Sequence, residues 1–158
     1  MLWSVRGEKM KKITFDEGYS FGIGAFETIA VEKGKPVLLD RHLIRLNDSL
    51  KKLGIYDLTC SEKINKSTVI EYIKKNRMNH GVLKIIVSKE NILFYMRENP
   101  YCDEDYIRGF CVDISQVHRN ETSPLTYMKT LNYGDNILEK RKARSEEHTS
   151  ELQSHHDL

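Results

Sequence analysis

The chain predicts an α+β fold centred on a small strand-and-helix domain, and three patterns carry that expectation. Short runs of β-branched and aromatic residues are bounded by glycine- and proline-containing turns. Leucines at helical spacing follow the first pair of runs. Two further runs are joined by four polar residues, as in a hairpin.

Phe26 to Glu32 reads as a strand, and Lys33-Gly34-Lys35 as a turn in which glycine can take positive φ. Pro36 to Leu39 reads as the return strand, with proline tolerated at its start. Asp40 is the expected N-cap of a helix whose apolar face is Leu43, Leu46, Leu50 and Leu53, with Gly54 ending it. A second helix is expected over Ser67–Asn76, burying Val69, Ile70 and Ile73. Val82–Val87 and Ile92–Arg97 are the hairpin strands, and Phe110–Ile114 reads as another strand. The polar stretch Gln116–Ser123 reads as a linker, and Asp135–Arg141 as the start of a further helix. The expected organisation is a small domain over 1–115, a connector and the start of a larger domain over 116–143, and a tail over 144–158.

The tail is acidic and has no helical or strand period, the composition of a disordered end. Arg144–His155 also resembles the in-frame translation of a common sequencing adapter. The expectation is therefore a natural frame that continues past Ala143, with 144–158 excluded from fold reasoning.

Composition narrows the function. Of 158 residues, 39% are hydrophobic and 30% charged, an ordinary globular balance. No stretch approaches the ~20 apolar residues a membrane span needs, and Met1–Arg6 lacks the basic-then-apolar order of a secretory signal. A cytoplasmic location is expected. Three cysteines, Cys60, Cys102 and Cys111, without a Cys-x-x-Cys pair argue against a disulfide framework or a thiolate zinc site, and no metal cluster is visible. A net charge of +2, without a stripe of aromatics and cations, does not suggest nucleic acid as a partner.

Three segments carry candidate chemistry. Gly22-Ile23-Gly24 allows either a sharp turn or close backbone approach to a ligand. It is not a dinucleotide fingerprint, because the third glycine is missing and a strand follows where a helix should open. Arg41 and Arg45 share one helix face, suited to a phosphate or carboxylate, or else simply solvated with Arg45 pairing Asp48. Lys129 lies among apolar and aromatic neighbours, Tyr127, Met128, Leu131 and Tyr133. Desolvation would make its amine nucleophilic, whereas a snorkelling lysine would keep the amine wet.

Taken in order, Glu17–Ile29, Gly34–Leu46 and the pair Met128–Asn132 with Asn136–Leu138 resemble the class IV aminotransferases, the fold-type-IV pyridoxal-phosphate enzymes. That family includes D-amino-acid and branched-chain aminotransferases and 4-amino-4-deoxychorismate lyase. The resemblance implies a two-domain, dimeric α+β enzyme using pyridoxal 5'-phosphate, of which this chain carries the small domain and the start of the large one. It implies that Lys129 holds the cofactor as a Schiff base and moves the substrate proton, that Arg45 binds the cofactor phosphate, and that Phe26 lies against the substrate. Transamination of a small amino acid is the expected reaction. The lyase reaction on a chorismate-derived amine is the alternative, and a further one is that the truncated chain is an inert fragment. Ile23 departs from the family, where an acidic residue is usual. Gly134 and Asp135 stand where relatives are more apolar, and Arg97 falls on no family motif.

Overall fold

The computed structural model describes residues 12–55, 62–110, 112 and 114–145, with 144 and 145 described by backbone alone. Cys60, Cys111, Met1–Arg6 and most of the tail lie outside the described residues.

A four-stranded antiparallel sheet forms the scaffold. Its strands are β1 (Gly24–Glu32), β2 (Lys35–Pro36), β3 (His80–Ser88) and β4 (Ile92–Arg97), in the order β2-β1-β3-β4. The β1–β3 pairing runs from Gly24 opposite Ser88 to Glu32 opposite His80, and β3–β4 is the expected hairpin. Side chains alternate across a strand. Ala25, Glu27, Ile29 and Val31 therefore share one face of β1, and Phe26, Thr28 and Ala30 the other.

Two helices cover the first face: α2 (Leu39–Lys52) and α3 (Lys66–Lys75). Leu39, Leu43, Leu46 and Leu50 of α2 meet Val69 and Ile73 of α3 and Ile29, Val31, Leu83, Ile85 and Val87 of the sheet in one buried core. Leucines three and four apart present a single stripe, which is why the sequence spacing located this helix. Gly54, at φ 70°, ends α2 as expected, its N–H reaching the Lys51 carbonyl at 3.1 Å. Asn65 caps α3 in a reciprocal box with Thr68.

Three local expectations need correction. The return strand is only Lys35–Pro36: the Val37 N–H still bonds to the Ala30 carbonyl, but Leu38 takes a left-handed φ of 50° that turns the chain out of the sheet. That kink starts α2 at Leu39, so Asp40 is not the N-cap. It lies in the first turn and pairs with Lys66 at 2.9 Å. Phe110, Val112 and Ile114 belong to no strand; the Phe110 ring instead packs edge-on against Tyr101, 5.0 Å away.

Two short helices were not legible in the sequence: α1 (Glu17–Phe21) and α4 (Asp103–Arg108). Asp16 caps α1 and also ties it to the hairpin turn, accepting from Ser88 Oγ at 2.6 Å, the Glu90 N–H at 3.0 Å and Asn91 Nδ2 at 2.9 Å. Burial pushes the Asp16 carboxyl up, but these donors and the Tyr19 N–H outweigh it and hold it down at about 2. After an irregular stretch and a 3-10 turn over Pro124–Tyr127, the chain returns to the sheet and enters α5 (Gly134–Ser145).

Candidate active site

The return to the sheet builds the site. Lys129–Leu131 lies antiparallel along the open margin of β1: the Phe26 N–H donates to the Lys129 carbonyl at 2.9 Å, and the Leu131 N–H to the Gly24 carbonyl at 2.9 Å. Both glycines of Gly22-Ile23-Gly24 make this docking possible. Gly22 closes α1 at φ 70° and its carbonyl receives Asn132 Nδ2 at 3.0 Å. A Cβ on Gly24 would fall 2.5 Å from the Val87 carbonyl oxygen and 2.6 Å from Leu131 Cδ1. Gly22 thus serves the turn and the approach of the Asn132 side chain, and Gly24 the close packing of β1 against β3 and the lysine block.

On the face away from the helices, the Lys129 amine lies 4.9 Å from the centre of the Phe26 ring and 5.7 Å from that of Tyr133. Phe26 is buried, with the Tyr133 ring edge-on to it at 5.1 Å. Lys84 reaches the same Phe26 ring at 4.4 Å. Lys129 is half-buried and its pKa is lowered. Desolvation is the largest cause, the Glu27 carboxylate opposes it, and the cations Arg45, Lys84 and Arg119 add to it. Burial likewise lowers Lys84, helped by Arg97, which lies on the same sheet face opposite Val82.

Arg45 lies on the helix side of β1. Its carboxylate partner among the described residues is Glu27. Its Nε and Nη2 donate to the two oxygens of Glu27 at 2.6 and 2.7 Å, and His42 Nδ1 lies 2.8 Å from Glu27 Oε2. The Glu27 carboxylate is 1% exposed, whereas the Arg45 side chain is 49% exposed. Burial raises the Glu27 pKa, but the hydrogen bonds and charges of Arg45 and His42 win, and the group is held below the usual carboxylate range. Arg45 also lines an open cleft of about 350 Å³ between α2 and the turn before Lys129, together with Arg41, Asp48, Ser49, Lys52 and Met128.

Phe26 and Lys129 are therefore brought together on one face. Arg45 reaches the other side of the same strand margin through Glu27, the neighbour of Phe26. Sequence reasoning missed Glu27, His42 and Lys84. The available signal was parity: Glu27 alternates with Ala25, Ile29 and Val31, which places an acid on the apolar face, and His42 and Arg45 are one helical turn apart. Among the described residues no helix is long and apolar enough to cross a membrane, and no group of three or more metal-ligating side chains occurs.

The sequence profile of the amino-transferase class IV family matches residues 24–152. The chain belongs to that family. Within it, the chain is similar to a putative branched-chain-amino-acid aminotransferase of Methanocaldococcus jannaschii, 27% identical, covering 86% of this chain and 52% of that protein. Its fold is that of a putative 4-amino-4-deoxychorismate lyase from Legionella pneumophila, with a TM-score of 0.70 at 22% identity over 92% of this chain and 57% of the other. It is also that of a hypothetical aminotransferase from Mycobacterium tuberculosis in its PLP-bound form, with a TM-score of 0.65 at 19% identity, over 92% of this chain and 56% of that one. The chain thus spans about half the length of the relatives it matches.

Proposed function

We propose that this chain forms one wall of a pyridoxal-phosphate site, that Lys129 is the lysine that bonds the cofactor, and that the enzyme transfers amino groups on a small amino acid. The observation that carries the reading is the half-buried, pKa-lowered amine of Lys129 facing the Phe26 and Tyr133 rings. The residues present fit the cofactor in two respects. The amine is desolvated, and the nearby cleft gathers the cations Arg41, Arg45 and Lys52 against the single acid Asp48, a balance that suits a phosphate.

When bound, pyridoxal phosphate supplies an aldehyde that condenses with amines and a ring that draws electrons from the carbon bearing the amino group. The chain's own residues supply the rest. Only the neutral amine of Lys129 is nucleophilic, and desolvation increases that fraction at neutral pH. The same Nζ can then take a proton from the substrate carbon and return it elsewhere. Arg45 binds the phosphate, and Phe26 offers a flat apolar surface to the substrate while shielding the amine from water.

Aminotransfer is favoured because the similarity to the branched-chain-type relative extends over 86% of the chain. The lyase reaction on a chorismate-derived amine is the second reading, motivated by the fold match to a lyase. The coverage of about half the relatives' length also motivates the view that these 158 residues bind without turning over substrate. The same reading carries a cytoplasmic homodimer, with the exposed Phe15, Tyr19 and Phe21 suited to a covered face.

The test is to incubate the full chain with pyridoxal phosphate, reduce with borohydride and map the adduct by mass spectrometry. A label on Lys129 that disappears in Lys129→Ala is expected. Label on surface lysines with none on Lys129 overturns the assignment. Pyruvate released from aminodeoxychorismate without a keto-acid acceptor, by a relative of full family length, would favour the lyase reading.

A further inference from the structure

Glu27 is a carboxylate in the wrong place for solubility. It is 1% exposed, on the face of β1 that otherwise contributes Ala25, Ile29 and Val31 to the core. Burying a carboxylate is costly unless it is fully bonded. Here Arg45 Nε, Arg45 Nη2 and His42 Nδ1 lie within 2.6 to 2.8 Å of its two oxygens. The bond to two guanidinium nitrogens fixes the plane of Arg45 as well as its position. The side chain so fixed is the one that opens onto the cleft, whereas its anchor lies inside.

We propose that Glu27, braced by His42, is a positioning residue that sets the Arg45 guanidinium for the phosphate of pyridoxal phosphate; this rests on the reading of Arg45 given above. Two effects of the carboxylate oppose one another. Its negative charge weakens the pull of Arg45 on a phosphate dianion. Its two acceptors hold the guanidinium in one orientation, which lowers the cost of ordering it on binding. The sign of the response to Glu27→Gln distinguishes them. Glutamine removes the charge but offers an amide donor to an arginine donor, so the fork is lost. If charge dominates, phosphate binding tightens; if positioning dominates, it weakens.

The experiment titrates the full chain with pyridoxal phosphate and with pyridoxal, following absorbance, and takes the ratio of affinities as the phosphate contribution. Glu27→Gln is expected to reduce that ratio tenfold or more while leaving pyridoxal binding nearly unchanged, even though loss of the buried fork lowers the melting temperature. A general structural defect would weaken both ligands alike. An unchanged or increased ratio overturns the proposal. Arg45→Ala separates it from its premise: a ratio unaffected by Arg45→Ala removes the phosphate reading itself, whereas a ratio lost there but kept in Glu27→Gln removes only the positioning role. Should Glu27→Gln fail to fold, Glu27→Asp keeps the charge and withdraws the oxygens by one methylene. A preserved ratio in that variant also overturns the proposal.

Discussion

The Lys129 carbonyl accepts the Phe26 N–H at 2.9 Å, and the Lys129 amine lies 4.9 Å from the centre of the same residue's ring. One residue of β1 thus fixes both ends of the lysine, its backbone by a hydrogen bond and its amine by an aromatic face.

The first prediction concerns the fit that allows this. In Gly24→Ala the new methyl meets the Val87 carbonyl, which cannot yield without parting the sheet, and the end of the Leu131 side chain, which must rotate away from its seat beside β1. A loss of about 1–3 kcal/mol is expected, as for other overpacked sites. Urea unfolding checks it, and Gly24→Ala with wild-type stability would show that the lysine block is not held where the structure puts it.

The second concerns the charge field around the amine. Lys84 is one of the cations that lower the Lys129 pKa, so Lys84→Met should raise it. The pH midpoint for acylation of Lys129, followed by peptide mass spectrometry, should move upward. A midpoint that stays or falls would mean that the two amines do not sense each other.

The third concerns acid stability. The Asp16 carboxyl is lowered from 3.8 to about 2 in the folded chain. A depressed folded pKa contributes stability at pH above the unfolded value, and that contribution is lost as pH falls through the folded one. The contribution is thus complete above about pH 4 and fades towards about pH 2. After discounting for solvent screening at this half-exposed site, about 1–2 kcal/mol is expected. Asp16→Asn should be less stable than wild type at pH 6, and the gap should close as pH falls through that window, measured by thermal melts at a series of pH values.

The fourth concerns the helix that carries Arg45. Leu46 is 1% exposed in the core, and Leu46→Ala should cost about 2–5 kcal/mol through lost burial and the cavity left behind. Calorimetry would reveal it. A cost below 1 kcal/mol would argue that α2 is not packed on the sheet as described.

These elements differ in how far the sequence revealed them. The α2 stripe of Leu43, Leu46 and Leu50 was legible because helix periodicity is local. The role proposed for Lys129 rests on its order with two other blocks, since apolar neighbours suit a reactive and a snorkelling lysine alike. Glu27 was not read as functional because its partners lie 15 and 18 residues away on another element, and their distance depends on how α2 packs. The Phe110–Ile114 expectation failed for a related reason. Strand-like composition describes a residue's fit to a sheet, but a strand also needs a partner, and here Phe110 packs among aromatics instead.

The margin where Lys129 joins β1 also has a kinetic consequence. Gly24 and Phe26 hold this segment by one main-chain hydrogen bond each, whereas β1 and β3 are paired along nine residues. Amide exchange should therefore be tiered, with the Phe26 and Leu131 protons released by a local opening long before those of Ile29 and Leu83. The Lys129 amine would then belong to a small cooperative unit of its own, able to leave and rejoin the sheet without unfolding the core.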